Sequence, residues 1–191
     1  MDKKIQWALI ISHLCNPAYL ASLLLLIIGV TNPTIVLKPS FISCLFFLGV
    51  VPALIGQDSI LLQRFPLKKR RKISFKGSFI SYIFAFGFCL VEKADTLTLA
   101  ISASYLSTVI FLLLVNLFYK ASGHGGAVSG PVILLNLVFP GWGLFSLPLL
   151  FLVAWARLAA QEHTLAQILT GMAIGALSTV GAFLLIRSHC F

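Results

Sequence analysis

Two histidines in this chain stand in polar company between apolar runs. His124 lies in YKASGHGGAVSGP, residues 119–131, and His163 in ARLAAQEHT, residues 156–164. Each segment leads into an apolar stretch, so each histidine is expected at a helix start. A helix start offers unpaired N–H groups and the positive end of the backbone dipole, which together suit an anion. Ser122 and Arg157 add donors beside the two imidazoles. Glycines at 123, 125 and 126 let a ligand come close to the backbone; their other reading is close helix packing in lipid. A third polar segment, residues 64–76, carries Arg64, Lys68, Lys69, Arg70, Arg71, Lys72 and Lys76 with no acid among them. Arginine forks match phosphate oxygens. The same run also serves as a topology signal and a contact for anionic lipid headgroups. Cations beside two imidazoles are the makings of a phosphate site. His13 and His189 lie near the chain ends without charged neighbours, and nothing is built on them.

The elements that must hold these residues are apolar to an unusual degree. Of 191 residues only 10% are charged, 59% are hydrophobic and the mean hydropathy is +1.02. A soluble fold needs a polar face on nearly every element, and this chain has too few polar residues to supply them. Residues 97–119 and 166–186 contain no charge, and each is long enough to span the hydrocarbon core as a helix at about 20 residues. Runs 41–57 and 77–91 are near the lower limit. The runs are continuously apolar rather than alternating, which argues against a barrel and for an all-α, polytopic membrane protein. Lys3 and Lys4 before an apolar run look like a signal peptide, but no small-residue cleavage site follows, so an uncleaved first segment is expected. Cys15, Cys44, Cys89 and Cys190 are scattered singly in or beside apolar stretches, with neither metal nor disulfide spacing.

Breakers and charges divide the chain into six or seven expected spans in one membrane domain, residues 1–191. The first ends at Thr31-Asn32-Pro33, and the second runs from Pro39 to Gly56. A polar segment, 57–77, precedes the third, which ends at Glu92-Lys93-Ala94-Asp95. The fourth covers Thr96–Lys120, the fifth breaks at Pro140–Gly143, the sixth runs to Arg157 and the last to Arg187. Two spans separate 57–77 from 119–131, and two more separate 119–131 from 156–164. All three polar patches are therefore expected on one membrane face. Nucleic acid is a poor partner for a short basic loop held between spans; membrane lipids are the natural one.

Ser122-Gly123-His124, followed by Arg157, five residues and His163 at the start of a last apolar helix, resembles the PAP2 superfamily of membrane phosphatases. The pattern of that family is K-x6-R-P, P-S-G-H and S-R-x5-H-x3-D, and the resemblance covers roughly residues 57–187. Arg64 and Arg71 fit the first motif's spacing with arginine for lysine and Lys72 for proline. Ala121 replaces the proline of the second motif. Ala156 and Gln167 replace the serine and aspartate of the third. The pair of spans between the first and second motifs is more like a divergent microbial branch, and so implies a microbial cell (inner) membrane.

The resemblance implies a PAP2-like bundle acting on a lipid phosphate: a phosphatidate, a phosphatidylglycerophosphate or a polyprenyl diphosphate. It implies that His163 attacks phosphorus and forms a phosphohistidine, and that His124 gives a proton to the departing oxygen. Arg157, Ser122, the Gly123 amide and the Arg64/Arg71 pair would hold the equatorial oxygens, with Lys120 as an alternative phosphate-binding lysine. No metal or other cofactor is implied. Gln167 shares a helix face with His163 and can accept the imidazole's hydrogen bond, but without a carboxylate's charge. A slower enzyme is expected, or one with a substitute acid, for which Glu162 and Asp58 are nearest in sequence. A catalytically inactive relative that binds lipid phosphates is the alternative, and a small transporter is less favoured. The basic residues of the patch face point that face toward the cytoplasm, whereas many relatives in the family work on the outer or luminal side.

Overall fold

A computed structural model describes residues 3–56 and 59–189. Asp58 and Cys190 fall outside that range. The described residues form helices and connecting turns, with no strand. In order these are α1 (Lys3–Leu14), α2 (Pro17–Thr31), α3 (Pro33–Val36), α4 (Pro39–Cys44), α5 (Val51–Leu54), α6 (Leu67–Val91), α7 (Thr96–Val115), α8 (Gly123–Val138), α9 (Pro148–Ala159) and α10 (Leu165–His189). Short 3-10 turns cover Ile60–Leu62 and Trp142–Ser146, and a π segment, Leu45–Val50, joins α4 to α5. Pro52 has no N–H for the carbonyl four residues back, and the turn before it relaxes to π spacing.

Four stretches are long and apolar enough to cross a membrane: Lys68–Val91, Thr96–Val115, Trp142–Ala159 and Leu165–Ser188. A fifth is the bent pair Ile5–Leu14 and Pro17–Thr31, which turns by 46°. Asn16 makes that bend, its side chain accepting from the Ala18 N–H at 3.0 Å ahead of Pro17. Pro39–Leu54 and Gly123–Val138 are shorter apolar helices. Large apolar side chains stay outside the bundle: Phe118, Trp142, Phe145, Phe151 and Leu177 are all more than 70% exposed. Such a surface is stable in lipid, not in water. The chain is therefore a helical membrane protein.

Two expectations about the elements need correction. The basic run is not a loop ahead of the third span. Helix α6 begins at Leu67, directly after Pro66, so the whole run from Lys68 to Lys76 is helical. Lysine and arginine are good helix formers and nothing between Pro66 and Gly77 breaks the turn. The fourth span also ends earlier, at Val115, and Lys120 stands in the turn leading to α8. The cysteines Cys15, Cys44 and Cys89 are buried and free. Cys44 and Cys89, 45 residues apart, nevertheless lie with their sulfurs at 3.4 Å.

Helices α8 and α10 run parallel from the same end of the bundle. The Ser122 N–H donates to the Gln167 carbonyl at 2.9 Å, tying the two starts together. Below that bond the helices meet along glycines. A Cβ added at Gly171 would fall on the Ser122 carbonyl, one at Gly175 on the Gly126 carbonyl, and one at Gly125 would press on the Ile168 carbonyl at 2.8 Å. Backbone cannot move aside as a side chain would. Gly171→Ala is therefore expected to destabilise the fold by about 1–3 kcal/mol, read as a lowered unfolding temperature in detergent. Gly181→Ala, which has open space around it, is the control and should leave that temperature unchanged or raise it.

Candidate functional site

The Ser122 hydroxyl caps α8 by accepting from the Gly125 N–H at 3.2 Å, and Ser122 is fully buried. That cap sets His124 in the first turn of α8. Three residues before Ser122 the chain leaves the turn after α7, which puts Lys120 beside the same helix start.

Arg157 lies in the last turn of α9, where the negative end of the helix dipole favours a cation. The helix closes with paired carbonyls: Gln161 N–H to Leu158 O at 3.0 Å and Glu162 N–H to Arg157 O at 3.3 Å. Gln161 takes the left-handed conformation this closure requires, at φ 55°. The turn brings Glu162 back over Arg157 and delivers His163 to the mouth of the bundle. Arg157 is only 4% exposed, and a buried charge needs partners. It has them in the Glu162 carboxylate, to which Nη2 donates, and in the Ser12 hydroxyl of α1, at 2.7 Å from Nη1.

Helix α10 opens with a reciprocal cap. The Gln167 N–H donates to Thr164 Oγ1 at 3.3 Å, and the Thr164 N–H donates to Gln167 Oε1 at 3.2 Å. The same Oε1 faces His163 Nδ1 at 3.1 Å. This arrangement fixes more than a rotamer. The Thr164 N–H can only donate, so the amide must present its oxygen there and not its nitrogen. An oxygen accepts, so His163 Nδ1 must carry the proton. The lone pair of neutral His163 is then on Nε2. Burial holds the His163 pKa below its ordinary value; the Gln167 hydrogen bond pulls it up, and the charges of Arg157, Lys120 and Arg71 push it down.

A cavity of about 610 Å³ opens at this end of the bundle. Its mouth is lined by Arg71, Lys120, Gly123, His124, Arg157 and His163. The three polar patches therefore meet, as their parity requires. Arg71 reaches the mouth because residues 71, 75, 78 and 82 share one face of α6, and all four line the cavity. Farther in, the lining turns apolar with Val109, Leu112, Pro131 and Leu134. Two hydroxyls on that inner wall, Tyr105 Oη and Thr179 Oγ1, have no protein partner among the described residues.

Not every expected residue arrives. Arg64 lies before α6 and does not line the cavity; its guanidinium sits over the Phe65 ring at 5.0 Å. With Pro66 between them, Arg64 and Arg71 cannot share a helix face, so the seven-residue spacing loses its meaning. Ser122 spends its hydroxyl on the cap and is walled off from the cavity. The three glycines serve different ends. Gly125 and Gly126 pack against α10, while nothing lies within 4 Å of the position where Gly123 would carry a Cβ. Ser12 and Thr164 support the site and had no sequence signal of their own, except that Thr164-x-x-Gln167 is a capping-box pattern. No cluster of His, Cys, Asp or Glu able to hold a metal occurs among the described residues.

Compared with family models, with curated proteins and with solved structures, the chain has no significant match in any of the three.

Proposed function

We propose that this protein is a PAP2-type membrane phosphatase that hydrolyses lipid phosphates through a phosphohistidine on His163. The observation that carries the reading is the cavity mouth, which two imidazoles line together with Arg71, Arg157 and Lys120, one of them with its Nδ1 engaged by Gln167 and its lone pair on Nε2. In this reading Nε2 attacks phosphorus while Arg71, Arg157 and Lys120 neutralise the equatorial oxygens. The P–O bond to the lipid breaks, and His124 gives its proton to the departing oxygen. The bound phosphate supplies the negative charge that favours a protonated His124. Water then attacks the phosphorus of the phosphohistidine, the P–N bond breaks to return neutral His163, His124 takes the water's proton, and inorganic phosphate leaves.

An amphiphilic substrate follows from the change of lining, cationic at the mouth and apolar within. At about 300–1,000 Å³ a pocket holds one moderate-sized ligand, so a single hydrocarbon chain fits this space with the phosphate at the mouth. In this reading the chain crosses the membrane seven times: the bent pair, Pro39–Leu54, Gly123–Val138 and the four long helices. It sits in a microbial cell membrane, with the site on the face carrying the basic start of α6, toward the cytoplasm.

The test is phosphate release by the purified protein in detergent from phosphatidate, phosphatidylglycerophosphate and a polyprenyl diphosphate, beside His163→Ala. Release from none of the three above that variant would defeat the reading. A catalytically inactive lipid-phosphate-binding protein is the second reading. Its support is that the Glu162 carboxylate already sits on Arg157 and Arg71.

A further inference from the structure

One residue touches all three of the cations that would hold the phosphate. The Glu162 carboxylate accepts from Arg157 Nη2 and, at 3.3 Å, from Arg71 Nη2. Its backbone carbonyl accepts from Lys120 Nζ at 3.3 Å. These three side chains come from α6, the α7–α8 turn and α9, and Glu162 joins them on the residue next to His163. Both guanidinium groups meet the same carboxylate oxygen, Oε2, as they would a single bridging oxygen of a phosphate. The group that occupies the arginines is thus an anion built into the chain.

From this geometry we infer that Glu162 is an internal competitor for the phosphate, and so a specificity-determining residue. The inference rests on the phosphate-site reading above. A phosphate must displace the carboxylate from Arg157 and Arg71 before it can be held. Inorganic phosphate has only its charge with which to do so. A lipid phosphate adds the burial of its chain in the apolar part of the cavity, and this extra binding free energy meets the cost of the displacement. The returning carboxylate then expels the product phosphate. The shared ligand chemistry is a phosphate dianion, free or lipid-linked, and Glu162 sets the difference between the two sources.

Glu162→Gln keeps the length and one hydrogen bond to the arginines but removes the competing charge. Arg157 is then a buried cation that has lost its carboxylate, so the variant folds less stably until an anion binds. The measurement is binding of inorganic phosphate and of decyl phosphonate, whose C–P bond is not hydrolysed, to the purified full chain in an uncharged detergent, with no turnover involved. Inorganic phosphate is expected to bind Glu162→Gln at least about tenfold more tightly than wild type, and to raise the variant's unfolding temperature more. Glu162→Asp, which keeps the charge and shortens its reach, should fall between the two and decides the matter if the glutamine variant does not fold. Equal or weaker binding of inorganic phosphate by the variants would overturn the competitor role while decyl phosphonate binding upheld the phosphate site. Binding of neither ligand by any form would overturn the site itself.

Discussion

His163→Ala is expected to lower lipid phosphate hydrolysis by about 10⁴-fold or more, the size of loss seen when a histidine-centred catalytic unit is disabled. The reason lies in the tautomer. Gln167 Oε1 is fixed by the Thr164 N–H and so makes His163 Nδ1 a donor, leaving Nε2 with the only lone pair able to attack. Alanine removes that lone pair, and in this mechanism His124 serves as the proton donor, not as a second nucleophile. His124→Ala should behave differently. Without a proton donor the first P–O cleavage slows by about 10²–10⁴-fold, but the nucleophile remains. Incubation with a lipid phosphate carrying labelled phosphorus should therefore leave label on His124→Ala as an acid-labile, base-stable phosphohistidine, and none on His163→Ala. Label on the His163→Ala protein would show that the nucleophile is elsewhere. A His163→Ala protein that still releases phosphate at the wild-type rate would remove the proposed chemistry altogether.

How much of this site is legible in the sequence depends on how local its causes are. The helix starts at His124 and just after His163 are legible because a cap is a property of a few neighbouring residues: Ser122 with Gly125, Thr164 with Gln167. Co-facial placement is legible from the count of apolar runs, and the Ser122–Gln167 backbone bond agrees with it. The expected pairing of Arg64 with Arg71 is lost for a local reason too, since the motif spacing runs across Pro66, where the helix begins. Ser12 and Glu162 are another matter. The partner of Arg157 on α1 is 145 residues away in sequence, and nothing about a serine in an apolar helix announces which buried charge it will meet. Glu162 is visible as an acid near the nucleophile. That it faces Arg157 and Arg71, and not His163, depends on the turn that ends α9 at Gln161. The glycines at 125 and 126 are ambiguous for the same reason, because a glycine that admits a ligand and one that admits a neighbouring helix are spelled alike. Only the position of α10 separates them.

Gln167→Glu is expected to raise the turnover of wild type by about tenfold or more, and to shift its pH dependence upward. Glutamate has the length of glutamine, so it keeps the reciprocal cap with Thr164 and the contact with His163 Nδ1. What changes is charge. In the proposed mechanism wild-type His163 attacks with a neutral partner behind it, and the positive charge that grows on the imidazole as the phosphohistidine forms meets a dipole at Nδ1. A carboxylate at the same distance stabilises that charge directly. The same charge acts on the titration of the imidazole. Wild-type His163 is held below its ordinary pKa of about 6.5 by burial first, with Arg157, Lys120 and Arg71 opposing the Gln167 hydrogen bond. In the proposed mechanism the reactive form is neutral. As pH falls through the lowered pKa the imidazole gains a proton and loses its lone pair, so the acid limb of kcat/KM should lie below about pH 6.5. A glutamate beside Nδ1 favours the imidazolium and should move that limb up by about 1–3 pH units. A variant with a faster turnover and an unmoved limb would mean that residue 167 acts on something other than His163. An upward limb with no gain in turnover would mean that the growing imidazolium charge is already compensated, and among the described residues the carboxylate adjoining His163 in the chain is Glu162, swung from the arginines by the substrate that displaces it.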